Sequence, residues 1–165
     1  MRSIFHIPEN LFKQQPHEKS HEKINATNGI REFLICRHFQ VNFHIQINQK
    51  SFKQFITQVL TASKTIDKIC VISLIYLRRL RLVNPNVIAQ NGSEYRLFLT
   101  AVILANKFFD DEAPLNSCFS KVSGIPLRQV NIMEVEFLRI LDFNLVVSKK
   151  EYDLFLVELS KALLE

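Results

Sequence analysis

From residue 51 onward, apolar side chains recur at spacings of three and four, which predicts a series of amphipathic helices. Two of these helices, 66–83 and 93–109, are apolar on most of their faces, as is typical of helices in the middle of a bundle. We therefore expect an all-α fold, a five-helix bundle around buried central helices with flanking N- and C-terminal helices. The predicted helices after residue 50 are 51–62, 66–83, 93–109, 116–122, 127–141 and a last one that Ser148 caps.

The first fifty residues lack this period. Residues 1–28 are polar and contain two prolines, so we predict a flexible tail. In residues 29–50 a short helix, Ile30 to Phe39, precedes a stretch in which apolar and polar residues alternate up to Ile47. Alternation is typical of a strand. A lone strand has no pairing partner in a helical chain, so we predict an extended linker there, followed by the helical core at 51–145 and a C-terminal helix at 146–165.

Composition agrees with one helical domain. The chain has 165 residues, 47% of them hydrophobic and 22% charged, with only 3 Gly and 5 Pro to make turns. The net charge is +5, and the only dense cluster of basic residues is Arg78, Arg79 and Arg81, at the end of a predicted helix. These arginines indicate either a solvated helix end or a docking site for an acidic protein. We expect no nucleic-acid partner, because no broader basic face with groove-reading elements is evident.

The cysteines and the apolar runs of the sequence indicate the cellular compartment in which we expect the protein. Cys36, Cys70 and Cys118 form no CxxC pair and no metal-binding spacing, which favours a reducing compartment. The longest apolar run, Ile69 to Leu77, is shorter than a membrane span requires. We therefore expect an intracellular protein, in the nucleus or the cytoplasm or both, with no membrane association, no metal and no cofactor.

Catalytic templates are absent: the sequence has no phosphate-binding glycine loop, no HExxH and no GxSxG. All five histidines precede the predicted core, and Asp110–Asp111 ends a helix without companion residues. We therefore do not expect an enzyme. Two charges do stand out within apolar helical runs, Lys107 and Glu134. They are either two solvated charges or a pair at the edge of an apolar surface that hydrogen-bonds to another protein's backbone.

Several segments resemble the cyclin box. Ala101–Phe108 is similar to its third helix, Ile75–Leu80 to its second, and Gln129–Leu145 to its fifth helix and exit. The details resemble the P-type or U-type branch, that of the yeast phosphate-pathway cyclins, and the resemblance covers roughly residues 40–150. The segments and residues that carry the branch assignment are Lys107–Asp111, Asn116, Lys121–Gly124, Asn131 and Glu134–Leu138.

This resemblance implies a regulatory subunit that binds and activates a cyclin-dependent protein kinase by positioning the C-helix of the kinase. It implies that Lys107 and Glu134 form the polar pair of the kinase-binding surface. The apolar contacts implied by the resemblance are Leu104, Phe108, Leu138, Phe143 and Leu145.

The chain also departs from the family. Many cyclins have Asp where Arg78 stands, and P-type members often have Arg near Gln58. The substrate-docking motif of cell-cycle cyclins is absent from residues 52–56, so we assign possible docking of acidic substrates to Arg78, Arg79 and Arg81. Two alternatives stay open: a cyclin-fold scaffold that tethers a kinase without activating it, and a transcription-factor-type cyclin fold.

Overall fold

The computed structural model describes residues 20–44, 46–63, 66–85 and 92–164, with side chains described only between residues 29 and 163. Within this part of the chain there are seven helices and no strand. The all-α prediction is confirmed. The helices are α1 (Ser20–Phe43), α2 (Gln49–Thr61), α3 (Ile66–Val83), α4 (Ser93–Phe109), α5 (Asn116–Ser123), α6 (Leu127–Ile140) and α7 (Lys149–Leu164).

The centre of the domain is the pair α3 and α4, which make the most extensive helix–helix contact. Every residue from Ile69 to Leu77 of α3 and from Phe98 to Asn106 of α4 is buried. Ala101 and Ala105, four residues apart in α4, are fully buried and provide the small side chains that let neighbouring helices approach closely. The remaining helices surround this pair, as their one-sided apolar patterns require.

An aromatic cluster joins α1 to the central helices. The ring of Phe52 on α2 lies 5.4 Å from that of Phe39 on α1, and 5.2 Å and 6.1 Å from those of Tyr95 and Phe98 on α4. These edge-to-face contacts are the geometry that aromatic pairs prefer. The first helix is therefore packed into the same core as the bundle.

The extended linker was wrong for residues 39–43, which belong to α1. Phe39 and Phe43 lie one helical turn apart and both are buried, whereas Val41 between them is 60% exposed. Because Phe39 and Phe43 are also four residues apart, the same short stretch fits a helix as well as a strand. Packing of both rings into the core favours the helix. Residues 20–28 of the predicted tail are helical too; the rest of that tail, 1–19, lies outside the described residues.

From α2 onward, the helices begin and end close to the predicted positions. Asn48 caps α2, and its side chain accepts a hydrogen bond from the Ser51 N–H. Gly92 caps α4 with φ +94°, a conformation in which glycine is unstrained. The predicted Ser148 cap of α7 is confirmed, because its Oγ accepts a hydrogen bond from the Glu151 N–H at 3.1 Å.

Candidate partner-binding site

Lys107 and Glu134 form an ion pair across two helices. Lys107 lies in the last turn of α4, and its Nζ is 2.7 Å from Oε1 and 2.9 Å from Oε2 of Glu134 on α6. The Lys107 side chain is 38% exposed and that of Glu134 only 14% exposed. The interpretation as two separately solvated charges is therefore wrong. The pair lies at the rim of the core, where one partner faces solvent and the other is largely enclosed.

Two asparagines extend this pair into a network. Asn116, the first residue of α5, donates from Nδ2 to Oε2 of Glu134 at 2.6 Å and to Oδ1 of Asn131 at 2.8 Å. The Oδ1 of Asn116 is buried and has no hydrogen-bond partner within the described chain. Neither asparagine was predicted to belong to the site. The available signal was the three-residue spacing of Asn131 and Glu134, which places both on one face of α6.

The five predicted apolar contacts divide by exposure. Phe108 is 47% and Phe143 65% exposed, and Leu138 is half-buried. Leu104 at 1% and Leu145 at 9% are part of the core, so they present almost no surface in this conformation. Leu104 on α4 and Leu145 in the segment after α6 are both packed in the hydrophobic core. Of the five predicted apolar contacts, only Phe108, Phe143 and part of Leu138 are thus exposed at the surface.

The outer face of α6 adds apolar surface that the sequence reasoning missed. Ile132 is 48% and Val135 43% exposed. With Leu127, Arg128 and other residues of α6 they line an open concavity of about 660 Å³. These residues lie between the inward positions of an amphipathic helix, where the pattern alone assigns them to solvent. An exposed apolar strip beside a polar network is typical of an interaction surface.

Phe143 has a strained backbone. Asp142 and Phe143 have φ of +51° and +55°, in the left-handed region that side chains with a Cβ rarely adopt. The Phe143 N–H closes the end of α6 by donating to the Leu138 carbonyl at 2.9 Å. Such strain persists where the surrounding structure fixes it, and it often marks a functional position. Here it accompanies an aromatic ring that is left largely exposed.

The segment after Phe143 is held by α3. Tyr76 donates from its hydroxyl to the Leu145 carbonyl at 2.7 Å. Arg79 donates to the carbonyls of Asn144 at 2.9 Å and Val146 at 2.7 Å. Burial raises the pKa of the Tyr76 hydroxyl, which therefore stays a donor across the physiological range. These bonds fix the path of the chain immediately after Phe143 in the sequence.

The predicted docking arginines are largely engaged within the chain. Besides its carbonyl bonds, Arg79 pairs with both carboxylate oxygens of Glu151 on α7, at 2.9 Å and 2.5 Å. Arg78 pairs with Glu158 of α7 at 2.7 Å and lies over the Phe155 ring. Arg81 is half-buried. We call Tyr76, Arg79 and Glu151 the clamp, because they join α3 to the connection between α6 and α7.

In the part of the chain that the structure describes, no three or more His, Cys, Asp or Glu side chains come together as metal ligands. No helix in that part has the length and the apolar character to cross a membrane.

These features define a helical protein-interaction domain, with two buried central helices and a surface on which a polar network adjoins exposed apolar side chains. The family model described as Cyclin matches residues 8–145. The chain belongs to the cyclin family, whose members are regulatory subunits and not themselves enzymes.

The relatives include the plant and yeast branches that the motifs indicated. Cyclin-P3-1 of Oryza sativa subsp. japonica is 32% identical over 111 residues, 67% of this chain and 47% of that protein. PHO85 cyclin-7 of Saccharomyces cerevisiae is 39% identical over 64 residues, 39% of this chain and 22% of that protein. PHO85 cyclin-like protein psl1 of Schizosaccharomyces pombe is 30% identical over 102 residues, 61% of this chain and 42% of that protein. The chain thus spans about half or less of the length of these relatives, and the resemblance to the P-type and U-type branch is confirmed.

Proposed function

We propose that this protein binds a cyclin-dependent protein kinase and activates it by holding the C-helix of the kinase in its active position. The binding surface is the partner face, defined as Lys107, Asn116, Glu134, Phe108 and Phe143. One relative is named PHO85 cyclin-7 and another PHO85 cyclin-like protein psl1, which supports a kinase of the cyclin-dependent class as the partner. Activation follows if the protein binds the active arrangement of the kinase better than the inactive one and so shifts its population.

The observation that carries this proposal is the ion pair at the rim of an apolar surface. Lys107 has three N–H donors and is 38% exposed, so it can donate to a partner's backbone carbonyl without leaving Glu134. Asn116 donates to Glu134 at 2.6 Å and so helps to fix the carboxylate that orients Lys107. Phe108 and Phe143 supply apolar anchors beside these groups.

Binding is tested by affinity capture from native cells with the full-length tagged protein. Lys107→Ala combined with Glu134→Ala should reduce the captured kinase at least tenfold, because the network loses both of its charges. The matched control is Lys149→Ala with Asp153→Ala, which removes an exposed ion pair on α7. Equal capture by the wild type and the partner-face double variant would contradict the proposal.

Activation is tested separately, by measuring phosphate transfer to a peptide by the isolated kinase with and without the purified protein. A rise in activity supports activation. Capture of a kinase without a rise supports the alternative of a scaffold that only tethers it. Salt-dependent binding of DNA without kinase capture would instead favour the transcription-factor-type alternative.

We further propose that the protein acts inside the cell, in the nucleus or the cytoplasm or both. All three cysteines are free thiols, and two of them, Cys36 and Cys70, are buried. Free thiols are usual in proteins of reducing compartments. Imaging of the tagged full-length protein tests this location, and secretion into the medium would contradict it.

A further inference from the structure

We propose that the groove between α1 and α2 is a second interaction site, which binds an acidic linear segment of a partner protein through its carboxylates and one or two apolar side chains. The groove shares no residue with the partner face, so the proposal does not depend on kinase binding. It replaces the arginines of α3 as the site for acidic partners, since Arg78 and Arg79 are paired with α7.

The shape of the groove suits an apolar anchor. It is an open cleft of about 320 Å³ between the two helices. Phe33, 41% exposed, and Val41, 60% exposed, lie on its α1 side. They are eight residues apart, which in a helix is about 12 Å. The buried Cys36 also lines the groove, and burial raises the pKa of its thiol to about 11, so this part of the lining is uncharged. A short segment that presents apolar side chains at that separation would contact both exposed residues.

The charged residues that line the groove are all positive. From Phe33 to Ile66 the sequence contains no Asp or Glu, whereas it contains two arginine or lysine residues that line the groove, Arg37 and Lys53. Lys50, exposed in the first turn of α2, adds a third positive charge on the same helix. A surface of one sign with an apolar centre attracts and orients a segment of the opposite sign.

The acids next to this stretch in the sequence are already engaged. Glu32 accepts a hydrogen bond from the Thr57 hydroxyl at 2.5 Å. Asp67 accepts one from Nε of Arg31 at 2.7 Å. The amides of Gln40 and Gln49, which also line the groove, offer donors and acceptors to a peptide backbone.

Two other occupants fit the charge less well. Residues 1–19 of this chain contain three arginine or lysine residues and two glutamates, so they bring no net negative charge. A second copy of the chain carries the net charge of +5 and would meet the groove with like charge. An acidic segment of a different protein is the occupant that the charges favour.

The test selects binders of the full-length protein from an mRNA-displayed library of random 12-residue peptides. We expect the enriched peptides to carry at least three Asp or Glu and one or two large apolar residues. Lys50→Glu with Lys53→Glu should weaken the enriched peptides at least tenfold, measured by fluorescence anisotropy. Val41→Ser should weaken them about threefold or more. Lys161→Glu, an exposed lysine on α7, is the matched control and should leave binding unchanged.

The outcomes that would contradict the proposal can be distinguished from one another. Enrichment of neutral or basic peptides, or acidic peptides whose binding survives the charge reversal, would overturn the proposal. Deletion of residues 1–19 that strengthens peptide binding tenfold would show that this segment occupies the groove. Dimerisation of the wild type that Lys50→Glu with Lys53→Glu abolishes would assign the groove to a second copy. Circular dichroism of the charge-reversal variant separates loss of binding from loss of folding, and Val41→Ser provides a second, conservative probe.

Discussion

The clamp and the partner face are both built around a charged pair, but the two pairs have different roles. In the clamp, Arg79 makes hydrogen bonds to two backbone carbonyls and to Glu151, and its side chain is 19% exposed. In the partner face, Lys107 bonds within the chain to Glu134, and its side chain is 38% exposed. The clamp joins elements far apart in the sequence, whereas the partner face leaves the Lys107 ammonium donors accessible to another molecule. A charge within an apolar helix therefore does not reveal its role until its partners are known.

The energetic consequence is a difference in what each region contributes to folding. A guanidinium that donates to several fixed acceptors stabilises the fold, because those acceptors lose their hydrogen bonds when it is removed. An exposed ion pair between side chains contributes little, since water replaces its interactions. We therefore expect clamp variants to change stability and partner-face variants to change binding.

The largest expected effect is that of Arg79→Ala. The change removes the bonds to the carbonyls of Asn144 and Val146 and leaves Glu151 unpaired, so the free energy of unfolding should fall by about 2–3 kcal/mol. Urea denaturation followed by circular dichroism measures it. The control is Arg78→Ala, whose pair with Glu158 is more exposed and whose loss should cost about 0.5 kcal/mol. Equal losses for the two variants would remove the distinction between a clamp and a surface ion pair.

A second effect is expected at His38 on α1, which lies within reach of the charge of Arg78. Burial, and to a lesser extent the charge of Arg78, lower the pKa of His38 to about 4. Its Nδ1 faces the Asn42 amide donor at 3.3 Å, so the ring proton lies on Nε2, which is buried without a partner in the described chain. The unfolded chain takes up a proton near pH 6.5 and the folded one does not. Stability should therefore be full above pH 6.5 and fall as the pH decreases towards 4, by up to about 1.4 kcal/mol per pH unit.

Denaturation curves of His38→Gln between pH 7 and pH 4 test this effect. The glutamine cannot titrate, so this variant should lose that part of the pH dependence. His44→Asn is the matched control, because His44 is exposed and has a φ of +52° that asparagine tolerates. It should keep the wild-type slope. An unchanged slope in His38→Gln would assign the acid sensitivity to other groups.

The comparison also explains what the sequence predicts well and what it does not. The approximate limits of α3 and α4 were predicted correctly, because long apolar runs end at strong stop signals such as Asn84–Pro85. The pairing of Lys107 with Glu134 could be anticipated only as one of two alternatives, since the partners are 27 residues apart. The roles of Arg78 and Arg79 were out of reach, because their acceptors lie 65 to 80 residues further along. The burial of Leu104 and Leu145 likewise depends on packing that no local pattern records.

A smaller effect, of opposite sign, is expected at Phe143. Replacing it by glycine removes the strain of the left-handed backbone, so Phe143→Gly should stabilise the fold by about 0.5–1 kcal/mol. It also removes the exposed ring of the partner face, so kinase capture should fall several-fold. Asp142→Gly is the matched control, since it relieves the same kind of strain at φ +51° without removing an aromatic ring. Loss of capture in both variants would mean that the loop conformation, and not the ring, matters for binding.

The smallest effect on stability should be that of the Lys107–Glu134 pair. A double-mutant cycle with Lys107→Ala, Glu134→Ala and the double variant isolates their coupling, which we expect to be about 0.5 kcal/mol or less, because Lys107 is partly exposed. Glu134→Ala should cost more than Lys107→Ala, since Asn116 also donates to Glu134 and its amide would lose that acceptor. A coupling as large as the loss in Arg79→Ala would show that the pair is a second clamp. A small coupling together with a large loss of kinase capture would show that its charges act mainly on the partner.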